Sequence, residues 1–469
     1  MATHVDSFGD ASSVLTNHKL RLHAASLDTK IAILRAQVDE LLKQRAAAQE
    51  GLDAITYPVL TLPVEIISKI FFLTLCAGGP YSELTVHGKS LILGHICQLW
   101  RQIALSTPEL WNTIQLKSRG GLAPALIHTF LSRAASLPLS ILVLDFDVDQ
   151  DMLNMALSTV MPHSRNWAHL SIAGGAETMR RFQVVHQQLP QLQSLELLAD
   201  ELQPTISDDT FGTMFQHAPL LRKVHLKEFG LQRFALPWSQ LTSLHISHLG
   251  QDLAEILSWT PNLVDLILGD ADPVFLPPLP YLQSIIFADT IMSAQTEILS
   301  RLRTPIRRLK MVILSDLAPF APPMAHPSSL DEVSLDIIPS GFVKLPSIEC
   351  LAVLTSVRTL KLTAHGYSPS YTNFSLDLLI DRLIKDAEFL PALESLTIVL
   401  LDHNTVHIAF DGLVLAEMLA VRGLRNFELL SHCQVPDLGG KAEEFKAKGM
   451  RIHMQTVPNL DIRISRPEF

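Results

Sequence analysis

Between residues 20 and 56, apolar side chains recur at steps that alternate between four and three. They are Leu20, Ala24, Leu27, Ile31, Leu34, Val38, Leu41, Ala48, Leu52 and Ile55, with one lapse at Arg45. This is the heptad spacing with which a helix buries a narrow seam against another helix. It predicts a helix over 20–56, preceded by a loose tail over 1–19. Asp28, Lys30, Arg35, Asp39, Glu40, Lys43 and Glu50 occupy its other faces. Two partners satisfy such a seam: a second copy of the chain, giving a homodimer, or another part of the same chain.

The pattern changes over 57–116. Pro58 breaks the first helix, and Leu62-Pro63-Val64-Glu65 opens a second. Pro63 suits a first helical turn and Glu65 suits the same positive end. Leu62, Ile66, Ile70 and Leu73 fall on one stripe, with Ile67, Phe71 and Leu75 beside it. The helix is therefore apolar over more than half its circumference, until Gly78-Gly79-Pro80 stops it. A further helix is predicted from Leu91 to Ser106, ahead of Pro108-Glu109-Leu110-Trp111. Helices this short and this apolar cannot bury all their surface among themselves. At roughly 25 cal/mol per Å² the remainder calls for a partner or a neighbouring domain.

From 117 to 469 an imperfect unit repeats: a Pro in many copies, then Leu-x-x-Leu-x-Leu. Clear copies begin at Leu192, Leu221, Leu241, Leu263, Leu282, Ile306, Leu330, Val357, Leu393 and Leu424, with weaker ones at Leu139 and Trp167. Most successive starts from Leu192 onward lie within the roughly 20–29 residues of a leucine-rich repeat, and the two long steps after Val357 imply inserted loops. The closing Leu-x-Leu puts both apolar residues on one side of a short strand. Connecting segments 253–259, 295–301, 376–390 and 414–422 read as helices. The expected fold is α/β: a small helical module followed by a solenoid with a curved parallel sheet. Outward strand positions are candidates for binding a protein target, with Lys223, His225, Lys227, His245, Arg308, Lys310 and Lys361 as the polar residues singled out.

Composition fits a large aliphatic core. Of 469 residues, 48% are hydrophobic and only 6% aromatic, and mean hydropathy is +0.25. The formal net charge of −10, without a basic stripe, argues against nucleic acid as a partner. Cys76, Cys97, Cys350 and Cys433 form no CxxC pair and no zinc spacing, so a disulfide scaffold and a metal are not expected, and a cytoplasmic or nuclear address is. The most apolar run, Ile66 to Ala77, is too short for a membrane span of about 20 residues and carries Lys69.

The residues of 57–116 resemble a known family. Leu62, Pro63, Glu65, Ile66 and Ile70, then Leu93, Ile96, Cys97, Trp100, Arg101 and Ala104, then Pro108, Leu110 and Trp111 closely resemble the F-box motif, in the form common in filamentous fungi. The resemblance spans about 50 residues, and a longer Gly-rich insert between Leu75 and Ser90 departs from it. It implies a non-catalytic adaptor that grips a Skp-type subunit, and through it a cullin, while a degenerate repeat domain holds a target for ubiquitylation. By position, Leu62, Pro63, Ile66 and Ile70 would meet the Skp-type subunit. Leu93, Ile96 and Trp100 would extend that contact or hold the helices together, and Trp111 would pack in the core. The resemblance implies no cofactor. A scaffold that binds the Skp-type subunit without ubiquitylation is a second reading.

One stretch offers catalysis instead. Ile141-Leu142-Val143-Leu144-Asp145-Phe146-Asp147 matches the opening of haloacid-dehalogenase phosphatases, with Asp145 as nucleophile, Asp147 as acid/base and magnesium between them. That motif belongs to a Rossmann-like sheet whose strands are separated by full helices, and the short repeats here do not supply that spacing. The same Asp ladder fails as a calcium loop, with Gln150 where Gly is needed and Ala156 where Glu is needed. Gly88-Lys89-Ser90 lacks the first Gly and the preceding strand of a phosphate loop.

Overall fold

The structure, a computed structural model, describes residues 10–53, 58–76, 86–117, 124–145, 150–185, 189–198, 213–227, 235–247, 253–269, 276–288, 292–314, 327–338, 348–365, 376–401, 411–431 and 435–456. Helix α1 spans Asp10–Asp53. It begins inside the segment read as a tail, because the seam positions there, Ser13 and Asn17, are polar and carry no hydrophobic signal. Good helix formers and a start rich in Asp and Ser are enough to continue the helix.

Helices α2 (Val64–Cys76), α3 (Val86–Ile96) and α4 (Gln98–Leu105) form the small module. Pro63 stands just ahead of α2 rather than inside it, and its carbonyl accepts from the N–H groups of Ile66 and Ile67. The single helix expected over 91–106 is divided at Cys97. Cys97 has extended backbone and caps α4, its Sγ accepting from the Trp100 N–H at 3.4 Å.

Among the described residues, fourteen strands then form one sheet in strictly sequential order. They are β1 (Thr113–Lys117), β2 (Leu139–Leu144), β3 (Trp167–Ala173), β4 (Ser194–Leu198), β5 (Lys223–Lys227), β6 (Ser243–Ser247), β7 (Asp265–Gly269), β8 (Ser284–Phe287), β9 (Arg308–Leu314), β10 (Glu332–Ile338), β11 (Thr359–His365), β12 (Ser395–Leu401), β13 (Asn426–Ser431) and β14 (Arg451–Thr456). All neighbours pair parallel, for example Leu266 with Ile285 and Leu335 with Leu362. Between them run α5 (Pro124–Ala134), α6 (Gln150–Val160), α7 (Ala176–Arg181), α8 (Leu253–Trp259), α9 (Met292–Arg301), α10 (Leu376–Lys385), α11 (Gly412–Arg422) and α12 (Lys441–Ala447). This is a leucine-rich-repeat solenoid. Helix α10 ends short of the expected 390: the Asp386 carboxylate accepts from the Glu388 N–H at 3.0 Å, a local turn that competes with further helix.

The repeat residues do what their spacing demands. In the ten clear copies the two strand leucines or their substitutes, from Leu195 and Leu197 to Phe427 and Leu429, are at most 3% exposed. The leading residue of several copies closes a tight turn. The N–H groups of Leu192, Leu221, Leu263, Leu282 and Leu393 bond back to Leu189, Ala218, Thr260, Leu279 and Leu390. In all five turns Pro occupies the second position, where its fixed φ favours the turn.

Two strands lie outside the predicted copies. Trp111-x-x-Ile114-x-Leu116 supplies β1, with Trp in the leading place, and Gly449-x-x-Ile452-x-Met454 supplies β14. The sheet thus starts at Thr113, inside the segment assigned to the module, and 116/117 is no boundary. Trp111 is 2% exposed, its ring packed edge-on against Phe130 of α5 at 4.9 Å. One hydrophobic core runs unbroken from Ile67 of α2 to Met450.

The sequential order also corrects the phosphatase reading. Strand β2 lies between β1 and β3, whereas a Rossmann-like sheet reverses its order at a switch point. Asp145 accepts a hydrogen bond from the Thr178 hydroxyl, and its N–H bonds the carbonyl of Ala173 at 2.8 Å. Asp147 lies outside the described residues.

Candidate docking site

Helix α2 has two apolar faces with different fates. Ile67, Phe71 and Leu75, four residues apart, are at most 9% exposed and join the common core. Ile66 and Ile70, with Leu62 just ahead of the helix and Leu73 one turn on, are 38–54% exposed. The adjacent sequence positions fall on opposite sides because each residue turns the helix by about 100°. Pro63 is exposed too.

The remaining sequence-derived contact residues separate in the same way. Ile96 of α3 is 55% exposed. Leu93, at 6%, belongs to the core, which fits the second of its two expected roles, holding the helices together. Trp100 is half-buried and packs its ring on Phe71 at 4.8 Å, tilted by 60°. It holds α4 on α2. Val64, Phe72, Ile92, Leu99 and Leu105 are exposed large apolar residues that the motif did not single out. Among the described residues, 62–105 carry ten exposed large apolar side chains, whereas the far longer stretch 139–456 carries nine. The excess apolar surface is therefore local to this module, apart from α1.

The outward face of the sheet is mixed. Lys223 and Lys361 are exposed and Lys227 is half-buried. Arg308 is exposed and pairs with Asp265 at 2.8 Å. Lys310 is mostly covered, and its Nζ lies 2.9 Å from Asp336, a carboxylate only 6% exposed.

His225 and His245 differ from that expectation: both are at most 5% exposed. Their rings stack face to face, with centroids 3.7 Å apart and planes 2° from parallel. His225 Nδ1 lies 2.8 Å from Glu196 Oε1, the Ser171 hydroxyl donates to Glu196 Oε2 at 2.6 Å, and the Ser247 hydroxyl lies 3.3 Å from His245 Nε2. The parallel register explains the row, since Ser171, Glu196, His225 and His245 occupy equivalent positions on β3 to β6. Buried polar groups in such a row stabilise it by satisfying one another. The strand alternation places these side chains on the outward face, but only the folded register brings them into contact.

Among the described residues no His, Cys, Asp or Glu cluster could hold a metal ion. No described helix is long and apolar enough to cross a membrane.

No family model and no curated protein matches this chain. Among the solved structures that match is an internalin from Listeria monocytogenes, at 14% identity and a TM-score of 0.32, covering 85% of this chain and 98% of that one. The repeat architecture is read from the strand order and burial of the chain itself, and it is a leucine-rich-repeat fold.

Proposed function

We propose that the chain is an F-box subunit of a cullin ubiquitin ligase. It docks on a Skp-type subunit through α2 to α4 and presents a protein target on the outward face of its sheet. One observation carries the reading: the exposed stripe of Leu62, Ile66, Ile70 and Leu73 on a helix whose opposite stripe is locked into the core. Apolar side chains held rigidly and left uncovered are what a docking partner buries, at roughly 25 cal/mol per Å². The spacing of Leu62-Pro63-x-Glu65-Ile66 adds the likeness to the F-box motif.

Such a subunit needs no catalytic residue. It contributes proximity, raising the concentration of a target near a conjugating enzyme that other subunits bring. Of the outward basic residues singled out, Lys223, Arg308 and Lys361 are exposed and accessible for that target, and a cytoplasmic or nuclear address follows from the partners.

Co-purification of the full chain with a Skp-type subunit is the test. It is expected to be lost in the Leu62→Ala, Pro63→Ala double variant and in Ile66→Asp. Unchanged capture by these variants removes the assignment. A cullin in the same complex, with ubiquitylation of a captured protein, distinguishes a ligase receptor from a scaffold that binds the Skp-type subunit alone.

A further inference from the structure

We propose that α1 pairs antiparallel with α1 of a second copy of this chain, burying the seam from Leu20 to Leu41. Every described side chain from Asn17 to Gly51 is exposed, including Leu27 at 44%, Ile31 at 45% and Val38 at 53%. The chain's own solenoid therefore leaves the heptad seam uncovered. With 44 residues, α1 is about 66 Å long. The paired stretch from Leu20 to Arg45 is about 39 Å of it, and a contact strip about 10 Å wide covers roughly 390 Å² on each helix, about 780 Å² in all, the size of a weak, reversible interface.

The seam divides between two heptad positions. Leu27, Leu34 and Leu41 occupy one seam position of the heptad, and Ile31 and Val38 the other.

The charges fix the direction. In a parallel pair Arg45 would face Arg45 of the second copy across the seam, and Lys30 would flank Arg35 of the second copy. Both contacts bring like charges together. Reversing one helix sets Ile31 opposite Leu34 of the second copy, Val38 opposite Leu27, and Leu41 opposite Ala24. Arg45 then meets Leu20 near the helix end, where its stem packs and its guanidinium reaches water. Asp28 flanks Arg35 of the second copy, an attractive pair formed twice, and Lys30 flanks neutral Gln37. This register also overlaps the two helices along almost their whole length. The proposal does not rest on the F-box reading.

Sedimentation of the full chain, natural and Leu34→Asp, tests the pairing. A dimer is expected for the natural chain and a monomer for the variant. The thermal unfolding of its solenoid should not change, because Leu34 is 59% exposed in its own fold. Direction is read by mixing a Leu20→Cys chain with an Arg45→Cys chain under oxidation and mapping cross-links by mass spectrometry. A disulfide joining positions 20 and 45 is expected. A monomeric natural chain, a dimer untouched by Leu34→Asp, or a disulfide joining position 45 to itself in the Arg45→Cys chain alone overturns the proposal.

Discussion

The indole Nε1–H of Trp111 donates to the carbonyl of Ala104 at 2.8 Å, joining the end of α4 to the turn that opens β1. Arg133 of α5 lies over the same ring, 4.3 Å from its centre. Trp111 thus helps fasten the module to the solenoid, beside the core residues that the two share. Trp111→Ala should cost about 3–5 kcal/mol, the range for deleting a buried aromatic. Trp111→Phe, which keeps most of the volume and loses the hydrogen bond, should cost about 1–2 kcal/mol. Denaturant midpoints of the full chain separate the two values, and equal losses would contradict the role given to the ring.

The two stripes of α2 predict opposite phenotypes one residue apart. Ile66→Ser and Ile70→Ser should change stability by no more than about 0.5 kcal/mol, as exposed sites do. Ile67→Ala and Phe71→Ala should cost about 2–5 kcal/mol. Only the first pair should weaken capture of a Skp-type subunit while the fold stays intact, as read by thermal unfolding beside a pull-down.

Much of this was legible beforehand because hydrophobic spacing maps directly onto burial. Alternation such as Leu266-x-Leu268 or Val333-x-Leu335 could only mean a strand with one buried side, and all four side chains lie in the core. The stripes of α2 were readable for the same reason. Three things were not. The strands at the ends carry Trp111 and Gly449 where other copies carry Leu, so the pattern faded there. The break at Cys97 turns on one side chain choosing to cap rather than continue a helix, which periodicity does not reveal. The row of Glu196, His225 and His245 spans residues 49 positions apart and exists only through register.

Lys310 and Asp336 offer a test of electrostatics on the sheet. Lys310→Ala leaves Asp336 covered and without its cation, at a cost of about 2–3 kcal/mol. Adding Asp336→Asn should recover part of that loss, because the neutral amide is cheaper to bury. A double-mutant cycle by urea unfolding measures the coupling, and strict additivity would show that the pair does not interact.

Arg422 closes the far end of α11 onto α10. Its guanidinium donates to the carbonyls of Leu383, Asp386 and Phe389, each at 2.6 Å. Arg422→Ala should cost about 2–4 kcal/mol, since three carbonyls lose one shared donor. Arg422→Lys should restore only part of it, because an ammonium cannot span the three acceptors as the planar fork does. Hydrogen exchange of α10 and α11 reports whether the loosening is confined there.

Strict sequential stacking makes the solenoid a ruler. Adjacent strands are about 4.8 Å apart, so the thirteen steps from β1 to β14 measure about 62 Å. The helical module is fused to the zero mark through β1, while β14 ends the scale with Arg451, His453 and Gln455 turned to solvent. Where a ligand settles along this scale sets its distance from whatever the module holds, in increments of one strand. Lengthening or trimming units near β14 would change that reach while leaving the fused end undisturbed.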